Sequence, residues 1–207
     1  MKNMIKAVLF DFDGVLTIDG SGSESICNYV CKKTGIDLKR FEEEYYKYND
    51  DLLCGKIQHK DIWDKICRSL NTQIDINILY DSFLYTPMDN KMMKIIEKLK
   101  NENYKIAMVT DNKKDRIDKL AEHYNWNKVF DAISISSEVG SGKNYSTIFK
   151  KALECLYLKA DECVFIDNQE KNLIVPKKME MNVIYFDHRK RDYEKFIQEL
   201  KKIGINI

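Results

Sequence analysis

The chain has 207 residues, which is enough for one hydrophobic core or for one core with a modest insertion, and too few for several independent domains. Its 34 Lys and Arg residues balance 33 Asp and Glu residues, so the formal net charge is +1. A chain without a basic excess has no charge field to hold nucleic acid or an anionic membrane surface, so neither partner is expected.

Cysteine usage and hydropathy indicate a cytoplasmic protein. The six cysteines include no CxxC pair, and with only three scattered histidines they form no zinc pattern. The apolar stretch near the N-terminus is too short for a signal peptide, and no run approaches the ~20 apolar residues of a membrane span. We therefore expect reduced thiols in a reducing compartment.

Short apolar runs alternate with helical patterns along most of the chain. Met4 to Phe10 is the first predicted strand, and its nearly continuous apolar character is typical of a strand buried on both faces of a parallel sheet. Later predicted strands lie at Tyr104–Thr110, Phe130–Ser136, Glu162–Asp167 and Val183–Phe186. Predicted helices lie at Asn90–Lys100, Lys113–Tyr124, Asn144–Tyr157, Glu170–Met179 and Asp192–Lys202. This alternation predicts an α/β fold with a Rossmann-like, doubly wound parallel sheet, and ligand chemistry at the carboxyl ends of its strands.

One region departs from the alternation. Residues 23–85 contain no convincing strand, and their predicted helices are Ser25–Lys33, Leu38–Leu53, Lys60–Leu70 and Ile76–Leu84. We therefore predict a small α-helical cap domain at 19–85, inserted after the first strand of a core domain formed by 1–18 and 86–207. A Gly/Ser-rich connection at 19–23 and a second connection near Thr86 indicate a hinge.

Two aspartates flank Phe12 where the first predicted strand ends, in the run KAVLFDFDGVLT. Alternation along the strand directs Asp11 and Asp13 to one side and turns Phe12 into the core. Two carboxylates about 6 Å apart repel each other by roughly 3 kcal/mol at an effective dielectric near 20, so the pair needs a cation or a proton. A turn with Asx caps is the alternative interpretation of the same four residues. A calcium loop of the EF-hand type is excluded, because Val15 and Leu16 occupy positions that require an oxygen ligand and a glycine.

A third carboxylate, Asp167, ends the predicted strand at 162–167. By itself Asp167 is equally consistent with the N-cap of the following helix. Beside Asp11 and Asp13 it completes a set of oxygen ligands, and an all-oxygen set favours Mg²⁺ over zinc.

A hydroxyl group lies at the end of the second predicted core strand. Thr110 precedes Asp111 and Asn112, and the first amides of the helix that follows point to the same edge of the sheet, which suits a phosphate oxygen. A simple helix N-cap formed by Asp111 or Asn112 is the alternative.

Lys143 follows a glycine-containing loop that is not a nucleotide P-loop, because Ser137 and Asn144 stand where that motif requires glycine and Ser or Thr. A lone loop lysine is ordinarily solvated. Grouped with three aspartates, however, Lys143 and Mg²⁺ would bring the site close to neutrality before a phosphate dianion binds.

Four segments resemble, in this order, the motifs of the haloacid dehalogenase superfamily. They are DFDGVLT at 11–17, Thr110 after its apolar strand, Lys143 after SSEVG, and FIDN at 165–168. The resemblance extends over essentially the whole chain, and the helical insertion resembles the subgroup with an α-helical cap between the first two motifs, which includes phosphoglycolate phosphatase and β-phosphoglucomutase-like enzymes. Two positions depart from the pattern: Asn144 stands where proline is usual, and Asn168 where a second acid is frequent.

The resemblance implies an Mg²⁺-dependent phosphohydrolase acting on a small organic phosphate monoester. Asp11 would be the nucleophile that forms an aspartyl-phosphate, and Asp13 the general acid and base. The metal ligands that it implies are Asp11, the backbone carbonyl of Asp13, and Asp167. The catalytic and substrate-binding residues that it adds are Thr110, Asp111, Asn112 and Lys143.

Other activities within and outside this superfamily share part of the pattern. Hydrolytic dehalogenation needs neither Mg²⁺ nor an acid for the leaving group, so Asp13 favours phosphoryl transfer. A sugar-phosphate mutase would use the same residues, and a noncatalytic phosphate-responsive binding module is expected to lack Asp11 or Asp13. The expected partner is a small phosphorylated metabolite selected by the cap, and a monomer and a homodimer both remain open.

Overall fold

A five-stranded parallel sheet forms the centre of the computed structural model, which describes residues 4–207. Residues 1–3 of the predicted core domain lie outside the described residues. The strand order is β3-β2-β1-β4-β5, and the predicted α/β fold with a parallel sheet is confirmed. The strands are β1 (Ala7–Phe10), β2 (Lys105–Thr110), β3 (Ala132–Ile135), β4 (Cys163–Asp167) and β5 (Asn182–Tyr185).

Some predicted strand ends were wrong. Met4 precedes β1 and is 74% exposed, so its apolar side chain does not mark a buried strand position. Ser136 begins a helix instead of ending β3. The apolar pattern thus begins before the strand at Met4, and the third strand ends at Ile135.

The helices between and after these strands have the following bounds. They are α1 (Gly22–Thr34), α2 (Leu38–Tyr46), α3 (Asn49–Leu53), α4 (His59–Ser69), α5 (Ile76–Leu84), α6 (Asn90–Asn101), α7 (Lys114–Tyr124), α8 (Ser136–Val139), α9 (Ser146–Leu156), α10 (Ile174–Lys178) and α11 (Tyr193–Lys202). Short 3₁₀ helices lie at Trp126–Lys128, Ala160–Glu162 and Glu170–Leu173. The helix predicted at 170–179 is therefore a 3₁₀ turn followed by α10. No helix between residues 4 and 207 has the length and hydropathy needed to cross a membrane.

Both faces of the sheet are covered, which explains the continuous apolar sequence of β1. Val8 and Phe10 join a hydrophobic cluster with residues of α6, α7 and α11. Ala7 and Leu9 join a second cluster with residues of α9. A central strand buried on both sides directs its polar chemistry to its carboxyl end, where the chain leaves the sheet.

Helices α1–α5 (residues 22–84, here the helical insert) have a hydrophobic cluster of their own, which includes Phe41, Trp63 and Phe83. The prediction of one helix over 38–53 was wrong. The N–H of Tyr48 donates to the carbonyl of Tyr45 at 3.1 Å, and this tight turn separates α2, which ends at Tyr46, from α3, which begins at Asn49.

The two chain segments that join the helical insert to the sheet are paired with each other. Thr17 and Met88 form an antiparallel bridge, and the N–H of Asp89 donates to the carbonyl of Leu16 at 2.8 Å. Arg191 stabilises the pairing of these two segments, because its guanidinium donates to the carbonyl of Thr17 at 3.0 Å and forms an ion pair with buried Asp89.

Replacement of Arg191 by alanine should lower the free energy of unfolding by about 3 kcal/mol, because it leaves the Asp89 carboxylate buried without its cation. Urea unfolding at pH 7 measures this loss. Arg189→Ala is the matched control: Arg189 is exposed, and its loss should change stability by no more than about 0.5 kcal/mol. Equal, small losses in both variants would contradict the role assigned to Arg191.

Candidate active site

The register of β1 and β4 brings two of the predicted site residues together. Phe10 lies opposite Ile166, and the N–H of Asp11 donates to the carbonyl of Ile166 at 2.8 Å, so Asp11 and Asp167 leave the sheet beside each other. Phe12 is fully buried, as predicted from alternation, and its ring packs 5.2 Å from that of Trp126. Asp11 and Asp13 line one cavity of ≈ 210 Å³ above this edge of the sheet.

Lys143 is buried and lies between two of the aspartates. Its Nζ is 2.8 Å from Oδ1 of Asp11 and 2.7 Å from Oδ2 of Asp167, and only 2% of its side chain is exposed. Asp111, predicted to bind substrate, lines the same cavity and accepts the backbone N–H of Lys143 at 2.9 Å, which holds the loop. Lys143 is therefore not a solvated loop lysine, because it is buried between two of the predicted site aspartates.

Burial and the neighbouring charges act in opposite directions on the pKa values of Asp11 and Lys143. Burial raises the pKa of Asp11 well above its ordinary range, although the nearby Lys143 opposes that rise. Burial alone would lower the pKa of Lys143, but the charges of Asp11 and Asp167 outweigh burial and raise it. The lysine thus stays charged, while two carboxylates share one ammonium.

Asp13 has a counter-ion that the sequence analysis did not identify. Nη1 of Arg116 donates to Oδ2 of Asp13 at 2.8 Å, and Nη2 donates to Oδ1 at 2.9 Å. Nδ2 of Asn112 donates to the same Oδ2 at 2.7 Å. Asn112 precedes α7 and Arg116 lies in its first turn, so the two side chains reach Asp13 from the same end of the helix.

Thr110 is the last residue of β2 and is buried. Its Oγ1 accepts a hydrogen bond from Nδ2 of Asn112 at 3.3 Å, and the N–H of Asn112 donates to Oγ of Ser136 at 3.0 Å. Helix α7 begins at Lys114. The N–H of Lys113, just before the helix, donates to Oδ1 of Asn112 at 3.1 Å. Thr110 and Asn112 are thus joined in one network with Asp13, whereas Asp111 contacts the Lys143 loop.

Lys113 is a second buried cation that the sequence analysis did not select. Its Nζ donates to Oγ of Ser23, which donates to Oδ1 of Asn49 at 2.9 Å, and all three residues line the same cavity as Asp11. Within residues 4–207 no carboxylate lies within 4 Å of this ammonium. Burial, aided by the charge of Arg116, lowers the pKa of Lys113 to about 8.

Asn168 and Gly14 pack closely beside the cluster. Asn168 is 5% exposed, and its Oδ1 has no hydrogen-bond partner among the described residues. Gly14 has a φ of +84°, and a Cβ at this position would lie 2.3 Å from Nδ2 of Asn168. Only glycine fits this turn beside the Asn168 amide.

The donor atoms at this edge of the sheet fit Mg²⁺. Across the described residues, no three Asp, Glu, His or Cys side chains form a ready ligand set, since the Asp13 carboxylate faces Arg116. The oxygens at this edge include the carboxylates of Asp11 and Asp167, which both contact Lys143, and the buried Oδ1 of neighbouring Asn168, which has no partner among the described residues. Hard oxygen donors of this kind are those that Mg²⁺ prefers.

The fold and the buried charges at the carboxyl edge of the sheet are those of an α/β protein with a polar site, and sequence comparison gives its family. Residues 5–179 match the model of the haloacid dehalogenase-like hydrolases, so the chain belongs to the haloacid dehalogenase-like hydrolase family. The match includes every candidate site residue from Asp11 to Asn168 and ends before β5.

Individual relatives agree with this assignment. A glyceraldehyde 3-phosphate phosphatase of Methanocaldococcus jannaschii is 26% identical, over 98% of this chain and 88% of its own length. A predicted HAD-like hydrolase of Porphyromonas gingivalis superposes with a TM-score of 0.71 at 17% identity, covering 97% of this chain and 99% of its own. A HAD family enzyme of Bacteroides thetaiotaomicron, solved with magnesium and inorganic phosphate, gives a TM-score of 0.64 at 18% identity, with coverage of 87% and 93%. At these identities the structural similarity shows the fold.

Replacement of Lys113 by methionine should increase stability at pH 7 by about 1–3 kcal/mol. The native pKa of about 8, against 10.5 for an ordinary lysine, means that burial of the charged lysine lowers the free energy of unfolding by about 3 kcal/mol. The variant also loses the hydrogen bond to Ser23, so its net gain in stability is smaller. The cost of burying the charge is complete below pH 8, where the lysine is charged in both states, and disappears as the pH rises to 10.5. The advantage of the variant should therefore shrink across this range.

Urea unfolding at several pH values between 7 and 10.5 measures this difference. Lys114→Met is the matched control, since Lys114 is exposed on the same helix and its loss should matter by no more than about 0.5 kcal/mol at any pH. A Lys113→Met variant that is less stable than the native protein at pH 7 would contradict the prediction.

Proposed function

We propose that the protein is an Mg²⁺-dependent phosphohydrolase that acts on a small organic phosphate monoester through an aspartyl-phosphate on Asp11. The observation that carries this proposal is the Asp11 carboxylate itself, which lies at the end of the central strand with Lys143 at 2.8 Å. Asp13, two residues further on, lines the same cavity. A nucleophile, a counter-charge and a second carboxylate are the minimum set for phosphoryl transfer in two steps.

In the first step a carboxylate oxygen of Asp11 bonds to phosphorus, and the bond from phosphorus to the leaving oxygen breaks. Asp13 gives the leaving oxygen its proton. Lys143 and the Thr110 hydroxyl stabilise the negative charge on the transferring phosphoryl oxygens. In the second step water attacks phosphorus and releases Asp11, while Asp13 takes the proton of that water.

Charge also explains why a metal ion belongs in this site. Asp11 and Asp167 share a single ammonium, and a phosphate dianion would add further negative charge. Asp11, Asp167, the carbonyl of Asp13 and the amide oxygen of Asn168 would hold Mg²⁺, and the ion would offset the charge of the phosphate.

The helical insert supplies part of the cavity wall, which supports its proposed role as a cap formed by residues 19–85. Ser23, Tyr46, Asn49 and Leu53 line the cavity opposite the aspartates of the core. These side chains would contact the leaving group, since the core residues contact the phosphate. The archaeal relative is named for a three-carbon phosphate, so glyceraldehyde 3-phosphate is the first substrate to test.

Asp11→Asn should lower phosphate release from an aryl phosphate ester by at least about a thousand-fold, because an amide cannot act as the nucleophile. Release is measured with and without millimolar Mg²⁺ and should require the metal. Asp81→Asn, on the exposed side of α5, is the matched control and should keep the native rate. Turnover that survives Asp11→Asn would refute the proposal, and conversion of a sugar 1-phosphate to its isomer without phosphate release would indicate a mutase.

Asn168→Leu should weaken Mg²⁺ binding by about ten-fold or more, because it removes the unpartnered amide oxygen beside Asp167. Isothermal titration with Mg²⁺ alone measures the affinity without reference to turnover. Asn168→Asp is the informative comparison, since a carboxylate of nearly the same shape should bind the ion at least as tightly as the native side chain. Equal affinities in the native protein and the leucine variant would exclude Asn168 from the metal site.

A further inference from the structure

Arg116 makes an unusually complete contact with the proposed general acid and base. The arginine lies on α7 and is fully buried, and its two terminal nitrogens donate to the two carboxylate oxygens of Asp13. Nη1 also donates to Oδ1 of Asn112 at 3.1 Å, and Nη2 to Oγ1 of Thr86 at 3.2 Å. A planar guanidinium held on several sides fixes the plane of the carboxylate that it pairs with.

The hydrogen bonds to Asp13 leave one of its oxygens less occupied than the other. A carboxylate offers about four acceptor sites. Oδ2 accepts from Arg116 and Asn112, whereas among the described residues Oδ1 accepts only from Arg116. The Asp13 side chain is 14% exposed and lines the cavity with Asp11, so the remaining acceptor site on Oδ1 is available to a molecule bound there.

We propose that Arg116 is a positioning residue, which orients Asp13 so that Oδ1 receives the proton of the water that hydrolyses the aspartyl-phosphate. This inference rests on the proposed phosphohydrolase function. In that step the water oxygen bonds to phosphorus, its proton moves to Oδ1 of Asp13, and the bond between phosphorus and Asp11 breaks with its electron pair returning to the Asp11 carboxylate. Arg116 touches none of the reacting atoms.

The position of Arg116 also depends on the helical insert. A Cβ on Gly22, the first residue of α1, would lie 2.1 Å from Nη1 of Arg116. Thr86, which the same guanidinium contacts, lies just after the last helix of the insert. The guanidinium is thus confined between Asp13 and the two ends of the insert, so the orientation of Asp13 is coupled to the placement of α1 against the sheet.

The test uses 4-nitrophenyl phosphate with Mg²⁺, because nitrophenolate leaves without a proton from Asp13 and the first step then reports on Asp11 alone. In Arg116→Met, rapid mixing should show about one equivalent of nitrophenolate released per active site at close to the native rate. Steady-state turnover should then fall at least ten-fold, and acid quenching should trap more phosphorylated protein than in the native enzyme. Arg116→Lys keeps the positive charge but cannot donate to both carboxylate oxygens of Asp13. Its steady-state turnover and its amount of trapped phosphorylated protein should lie between those of the native enzyme and Arg116→Met.

Asp115→Asn is the matched control. Asp115 is the neighbouring residue on α7, and its carboxylate contacts Nδ1 of His59 in the helical insert at 2.7 Å without contacting Asp13. This variant should keep native burst and steady-state rates. If it reproduced the effect of Arg116→Met, loosening of the insert would explain the result and the inference would be overturned.

Two other results would overturn the role of Arg116: native steady-state turnover in Arg116→Met, or equal slowing of both steps in a protein whose circular dichroism is native. Should Arg116→Met fail to fold, Gly22→Ala displaces the guanidinium by crowding and should trap phosphorylated protein in the same way; native kinetics in that variant would overturn the inference. A native protein that neither turns over nor becomes phosphorylated would refute the proposed function itself, which separates the two failures.

Discussion

Buried negative charge at the carboxyl ends of β1 and β4 is the constraint on which the rest of the site depends. Asp11 and Asp167 are almost completely buried, and isolated carboxylates in such positions would cost several kcal/mol each. Lys143, in the loop after α8, offsets this cost by contacting both carboxylates, and Arg116 on α7 pairs with the neighbouring Asp13. The segments that carry Lys143 and Arg116 therefore fold over the carboxyl ends of the strands, and the cavity lies between them.

The beginning of α7 joins this charged site to the helical insert. Lys113 donates to Ser23, Asp115 contacts His59, and Arg116 pairs with Asp13. His59 is fully buried, and its other ring nitrogen lies 2.8 Å from the hydroxyl of Tyr45 in α2. One helical turn therefore contacts both the insert and the proposed acid and base. A movement of the insert away from α7 would break the contacts of Lys113 with Ser23 and of Asp115 with His59, and it would expose the buried histidine.

Local pattern accounts for what the sequence could predict. The strands and the aspartates at their ends were accessible because apolar runs and their terminal residues are contiguous, and Lys143 followed from a motif order. Arg116 and Lys113 were missed because their partners lie 103 and 90 residues away in the chain, where no periodicity links them. The break at Tyr48 was missed for a similar reason: the surrounding sequence has helical composition, and the turn that divides it is set by packing within the insert.

The formal charges of the site explain why a neutral residue at 168 is compatible with metal binding. Asp11, Asp13 and Asp167 are balanced by Lys113, Arg116 and Lys143, all of which line the cavity or contact residues that do. A bound Mg²⁺ and a phosphate dianion would then cancel each other. A further acid at 168 would leave the loaded site with excess negative charge, whereas the Asn168 amide offers an oxygen without a charge. Lys113 thus supplies the third positive charge that makes the occupied site neutral. Its burial lowers the stability of the fold, and this loss of stability is the consequence of placing a cation where an anion binds.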